Sequence, residues 1–274
     1  MSSLLLWWPV LYTRFTLNVS TTYNIGMIVK EPTGATLDTV YRPVWQTDQT
    51  RVDLFYAKPI LRDENGVELP GFTPLIRQQT VDLTMLRQVR YLKQAFEALH
   101  LRFSSGERFR LLVRINSVAL ATPEAASVVT DTMRMLSTEE RSFIVPEIID
   151  FPASLSLNTL DEITIPLMAF FDTWLAQPEK TQADFTPYAN LNYGGVTLDL
   201  FDKPMDLKLA GKVFQLFAQR ASHRRLPTWV LGLATPELAK VARICGINAL
   251  SGAYMNRESD HPGPVIEGQQ EFMV

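Results

Sequence analysis

From Thr39 onward the chain alternates short apolar runs with longer stretches whose apolar residues recur every three or four positions. The first texture reads as buried strand, the second as amphipathic helix. Val40 to Trp45 and Val52 to Leu61 form an expected strand pair, closed by the turn Asp63-Glu64-Asn65-Gly66. A helix is predicted through Leu83, Leu86, Val89, Leu92, Phe96 and Leu99. A strand follows from Phe109 to Ile115. Thr122-Pro123-Glu124 opens the next helix, with a capping hydroxyl, a proline at the first helical position and an acid in the first turn. Phe143 to Ile149 is another strand. Thr159-x-x-Glu162 reads as a capping box opening an apolar helix through Leu167, Phe170, Phe171 and Trp174. Gln177 to Asn192 reads as loop, Val196 to Leu200 and Met205 to Leu209 as strands, and Lys212 to Ser222 as helix. The run from Leu226 to Met255 then gives strand, helix and strand. Thr235-Pro236-Glu237 caps its helix, and Gly246 ends it.

Strands that alternate with helices imply a parallel sheet under helical cover. Seven or eight strands suit an α/β fold of the (β/α)8 barrel type, with a doubly wound open sheet as the alternative. No strand is followed by G-x-G-x-x-G or a P-loop, which weighs against the open sheet. The expected division is an N-terminal extension over residues 1–38, a barrel over 39–262 and a tail over 263–274.

The 274 residues suffice for one large core, and a net charge of -3 gives no basic footprint for nucleic acid. The lone Cys245 excludes an internal disulfide and reads as a buried thiol. The apolar run in SLLLWWPVLY falls short of the roughly 20 residues that span a bilayer. It also lacks the basic start of a secretion signal. These features together suggest a cytoplasmic protein. Trp7, Trp8 and Phe15 suit either a docking surface or a cover for the barrel floor. His100, His223 and His261 form no visible constellation, and the basic stretch Arg220 to Arg225 reads as a solvated helix end.

Several short strings keep a common order: Tyr41-Arg42-Pro43-Val44, then Ile115-Asn116-Ser117, Pro146-Glu147-Ile148-Ile149-Asp150, Met205 to Ala210, and the closing Leu231 to Tyr254. In that order and spacing the chain resembles EAL domains, the bacterial cyclic di-GMP phosphodiesterases, over roughly residues 39–260. The resemblance implies an EAL-type TIM-like barrel with a short N-terminal extension and a metal-assisted site at the C-terminal strand ends. It places Tyr56 where the family has the metal-binding Glu, and Ile60 where it has a phosphate-binding Arg. The literal Glu97-Ala98-Leu99 string is a decoy inside a helix. Asn116 and Glu147 match metal ligands, although an Asn there also suits a turn cap and a Glu suits an ion pair. Asp150 falls at the second acidic position of its motif. The family's acid pair falls near Pro187 to Asn190, with Asp184 as a nearby remnant. Lys208 matches the lysine beside the attacking water, with Ala210 in place of an Asp. Leu231 and Ala234 replace the two acids of the family's AEGVET string, and Ser251 replaces a Gln.

A two-metal clamp needs several anionic oxygen ligands, and a phenol with a pKa of about 10 is a poor substitute. The resemblance therefore implies a pseudoenzyme of cyclic di-GMP signal transduction. It would act as a regulatory or scaffolding module through protein partners or a homodimer, with no cofactor. The alternatives are residual phosphodiesterase activity with Mg2+ or Mn2+, and a cyclic di-GMP receptor that uses Arg42 and Lys208 without turnover. Neither nucleic acid nor a transmembrane segment is expected.

Overall fold

The computed structural model describes residues 35–69, 75, 81–152, 155–179, 182–255 and 258–267. All lie in the compact unit Glu31–Val274. Trp7, Trp8 and Phe15 fall outside the described residues.

Chain order begins with β1 (Thr36–Gln46), β2 (Arg51–Val52), β3 (Leu54–Arg62), α1 (Val81–Ser104) and β4 (Arg110–Asn116). Next come α2 (Pro123–Met133), α3 (Thr138–Arg141), β5 (Ile144–Ile149), α4 (Leu157–Thr164) and β6 (Trp174–Ala176). The rest is α5 (Thr186–Asn190), β7 (Tyr193–Asp199), α6 (Leu207–Ser222), β8 (Thr228–Leu231), α7 (Pro236–Ile244), β9 (Ala249–Leu250) and β10 (Ile266–Glu267). Strands β1, β3, β4, β5, β6, β7, β8 and β9 close into a barrel in that order. The expected barrel is thus present, with one departure from a uniformly parallel sheet. Strand β1 runs antiparallel to both neighbours, β3 and β9. It begins at Thr36, ahead of the expected Val40. Part of the expected tail is also in a sheet, since β10 pairs with β2.

Two apolar layers follow from strand alternation. Outward residues such as Leu111, Val113 and Ile115 pack beneath the helices with Leu92, Phe96 and Leu99 of α1. Inward residues form a separate cluster of Val44, Leu54, Tyr56, Leu112, Leu175, Trp229, Leu231 and Ala249. Gly195 makes room for this filling: a Cβ there would lie 2.8 Å from the Pro227 carbonyl and 3.3 Å from the Trp229 indole nitrogen.

Three sequence expectations change. The helix expected from Thr159 is capped instead by Ser156, whose hydroxyl accepts from Thr159 N. It turns 3-10 at Ile165–Leu167, where Pro166 cannot continue the ladder. Trp174 therefore sits on β6, not on a helix. The expected loop holds the short α5. Met205–Leu209 is no strand: the Asp206 carboxylate accepts from Leu209 N, and α6 starts at Leu207. By contrast, Thr122 and Thr235 cap their helices as expected, and Gly246, at φ +81°, follows α7.

Helix α1 does more than cover the sheet. Strands β3 and β4 pair directly only from Leu54↔Arg110 to Tyr56↔Leu112. Beyond that, the Tyr91 hydroxyl donates to the Ala57 carbonyl at 2.7 Å and accepts from Arg114 N at 3.0 Å. Gln88 donates to the Arg114 carbonyl and accepts from Asn116 N. Buried side chains thus continue a ladder that the strands leave open, as buried backbone groups require. Tyr91→Phe should lower the unfolding free energy by about 1–3 kcal/mol for each buried group left without a partner. Denaturant melts of the two proteins measure it, and an unchanged midpoint would contradict this role.

Candidate functional site

Chemistry on such a barrel belongs at the C-terminal strand ends. Arg114 on β4 is 2 % exposed and points inward, two residues after Leu112. Its Nε donates to Glu147 Oε2 of β5 at 2.7 Å, and its Nη1 lies 2.7 Å from Asp199 Oδ2 at the end of β7. Glu147 is fully buried, and its other oxygen accepts from the Thr197 hydroxyl at 2.5 Å. The guanidinium carbon sits 4.8 Å from the centre of the Tyr56 ring. Arg114 Nη2 is buried with no hydrogen-bond partner among the described residues.

Burial alone would discourage the charge on Arg114, but Glu147 and Asp199 outweigh it and hold the guanidinium more firmly protonated than usual. The Tyr56 phenol is pushed the other way for an acid: burial drives its pKa well above 10, so it stays neutral. The centre of the barrel is therefore a closed set of one fixed cation, two carboxylates, a hydroxyl and an aromatic face.

Asn116 is spent structurally. Its side-chain oxygen accepts from Val118 N at 2.9 Å, and its amide donates to the Leu75 carbonyl and to Asp150 Oδ2. Asp150 adopts a left-handed backbone, φ 58°, and its carbonyl accepts from the Ser117 hydroxyl. Asn116 thus caps a turn, and Glu147 pairs with Arg114.

A second network lies at the barrel mouth. Arg42 of β1, 4 % exposed, pairs with Asp202 at 2.5 Å and with Glu258. Lys58 of β3 reaches the same two carboxylates at 3.1 and 3.0 Å. Burial pushes the Asp202 carboxyl up, but the Arg42 hydrogen bond and charge, with Lys58, bring it below the usual range. Burial likewise opposes ionisation of Glu258, and the charges of Arg42 and then Lys58 outweigh it. Phe201 and Asp202 are consecutive left-handed residues, and Gly232 packs against them so closely that a Cβ would meet Phe201 N at 2.6 Å. The loop after β7 is held over the mouth by this packing and by its ion pairs.

Lys208 does not join either group. It is exposed in the first turn of α6, on a helix and not on a strand. Strand β7 ends in Thr197-Leu198-Asp199, so Thr197 and Asp199, not Lys208 and Ala210, occupy the last two inward positions of that strand. Strand β6 ends at Ala176, which brings Gln177, not Asp184 or Pro187 to Asn190, to the place after it. Asp184 is exposed instead, and accepts from Thr186 N. Glu97 of the decoy string is exposed on α1. His100 contacts Glu140 at 2.6 Å, outside the barrel centre.

Sequence reasoning passed over Arg114, Asp199, Lys58, Asp202 and Glu258. Arg114 carried a usable signal: in Leu112-x-Arg114-x-Asn116 a period of two sends a cation inward with two other buried side chains.

The residues present do not fit a pair of dications. The two inward carboxylates already hold Arg114, Tyr56 is a neutral phenol, Asn116 is engaged in caps, and Leu231 is apolar. Among the described residues no group of three or more His, Cys, Asp or Glu could hold an ion. No helix among them is long and apolar enough to cross a membrane.

No family model matches the chain, and no curated protein sequence does. Solved structures do match. The EAL domain of Mycobacterium smegmatis DcpA is 15 % identical, with 81 % of this chain and 93 % of that one covered at a TM-score of 0.56. The Xanthomonas citri FimX EAL domain in complex with c-diGMP is 16 % identical, covering 83 % and 88 % at a TM-score of 0.58. A standalone EAL protein from Vibrio cholerae O395 in its c-di-GMP bound form is 10 % identical, covering 87 % and 98 % at a TM-score of 0.56. The similarity spans nearly the whole of those domains and includes the closed eight-stranded barrel, so this chain has the fold of an EAL domain.

Proposed function

We propose that this chain is a catalytically silent EAL-fold barrel that serves cyclic di-GMP signalling as a regulatory or scaffolding module, through contacts with other proteins. The observation that carries the reading is Arg114, whose guanidinium lies between Glu147 and Asp199 at 2.7 Å from each. Metal-assisted phosphodiester hydrolysis places dications among such carboxylates to activate water and neutralise phosphate charge. A guanidinium cannot activate water in this way, because it has no exchangeable ligand position and does not release its proton near neutral pH.

The space over the site supports the same reading. The cleft above the ends of β5, β6 and β7, lined by Asp150, Gln177, Asp199 and Phe201 among others, holds about 150 Å³. Pockets for drug-sized ligands run to roughly 300–1,000 Å³. Arg42, a candidate phosphate ligand in sequence, has its two terminal nitrogens taken by Asp202 and Glu258. The receptor alternative would require those pairs to open.

Purified protein mixed with cyclic di-GMP and Mg2+ or Mn2+ should yield no linear dinucleotide by chromatography. Metal-dependent turnover that disappears in Glu147→Ala would overturn the proposal. Arg114→Ala leaves two buried carboxylates uncompensated and should cost about 3–5 kcal/mol of stability in a denaturant melt.

The mouth network gives a pH signature. Asp202 titrates below its unfolded value, so its contribution is full above about pH 4 and fades as pH falls through the lower, folded value. The stability gap between the wild type and Asp202→Asn should be present at pH 7 and shrink below about pH 4. A gap that stays constant would show that the carboxylate charge is not what holds the loop.

A further inference from the structure

Helix α6 and the turn that follows it carry cations without acids. From Leu207 to Arg225 there are five cations, Lys208, Lys212, Arg220, Arg224 and Arg225, and no acid, within a protein of net charge -3. Among the described residues, Lys208, Lys212, Arg220 and Arg225 form no salt bridge. Arg224 has only a long one, 3.7 Å, to exposed Asp184.

The buried side of α6 is Ala210, Phe214, Phe217 and Ala221. On another face, Leu209, Lys212, Leu216, Arg220 and His223 recur at steps of three and four, one continuous stripe. Leu209 and Leu216 are 53 % and 46 % exposed. Beside this stripe lies an apolar cleft of about 220 Å³. Met205, Val213, Leu216 and Phe217 line one part of it, and Phe185 and Leu198 another. Arg220 and Glu179 both line this cleft, and Arg220 donates to the Gln182 carbonyl at 3.0 Å.

We infer that the α6 stripe and its cleft dock an acidic amphipathic segment of a partner protein. Spaced apolar side chains of the partner would enter the cleft between Leu216 and Phe185, and its carboxylates would meet Lys212 and Lys208. The concave apolar recess selects a protein segment over the other polyanions. A lipid surface calls for an apolar face that can enter the bilayer, and the main apolar face of α6 is already buried against the barrel. Single-stranded nucleic acid calls for exposed aromatic platforms, and the stripe carries none. An apolar recess beside a helix face whose cations Lys208 and Lys212 form no salt bridge among the described residues matches helix-in-groove recognition, with charge setting the choice of partner.

The inference rests on the reading of the barrel as an interaction module and names the chemistry of its partner. Its failure would be separate from that of the silent-barrel proposal, because binding here needs neither metal nor nucleotide. The test is selection from a displayed library of random 16-residue peptides on the wild-type protein. Selected peptides should combine acids with apolar residues at three- and four-residue steps. Their affinity should drop at least tenfold in Lys208→Glu/Lys212→Glu and in Leu216→Ser, each shown to be folded by circular dichroism. Arg134→Glu at the C-terminal cap of α2 should leave it unchanged. Selected peptides without acids, or peptides indifferent to the α6 variants, would overturn the inference. So would anionic phosphatidylglycerol vesicles or single-stranded DNA binding as tightly with the same dependence on Lys208 and Lys212. Self-association of the wild type in sedimentation that is lost in the same variants would also overturn it, in favour of a second copy.

Discussion

One buried cation organises the centre of this barrel. Arg114 lies between Glu147 and Asp199, fastening β4 to β5 and reaching across to β7. Taking such charges out of water is expensive, and the arrangement persists only because each partner is met at hydrogen-bond distance. The rest of the region is consistent with that constraint. Tyr56 lends an aromatic face, Thr197 satisfies the second oxygen of Glu147, and Asp199 Oδ1 accepts from Phe201 N at the root of the mouth loop. The backbone of Arg114 is fixed as well, through Tyr91 and Gln88 of α1.

The mouth repeats the solution at a shallower level. Arg42 and Lys58 are two cations, Asp202 and Glu258 two anions, and they neutralise one another across three segments distant in sequence. The left-handed pair Phe201 and Asp202 is tolerated because the ion pairs and the close approach of Gly232 hold it. At both centre and mouth, cations and carboxylates are paired within the barrel. The outer surface of α6 differs, because its Lys208, Lys212 and Arg220 form no salt bridge among the described residues.

Much of the fold was legible because it is written locally. Thr122-Pro123-Glu124 and Thr235-Pro236-Glu237 specify helix starts by chemistry that needs no tertiary context, and both helices begin there. Strand β6 was not legible: three residues, Trp174 to Ala176, are too few to show a period. The start of α6 misled for a physical reason. Met205, Leu207 and Leu209 alternate with polar residues as a strand would, and only the Asp206 cap turns them into a helix. That misreading carried Lys208 to a strand end it does not occupy. At the site, Glu147 was found through the resemblance of Pro146 to Asp150 to a family motif. Arg114 was passed over because its partners are 33 and 85 residues away, and no local pattern brings them together.

The silent-barrel proposal rests on the guanidinium of Arg114 between Glu147 and Asp199. The most direct measurement is thermal unfolding of the wild type and Arg114→Ser, each in EDTA and in Mn2+. The account predicts a wild-type midpoint indifferent to Mn2+. It predicts a lower midpoint for the variant, raised by Mn2+ once Glu147 and Asp199 are free to take a cation. A wild-type midpoint that rises with Mn2+ and is insensitive to loss of Arg114 would contradict it.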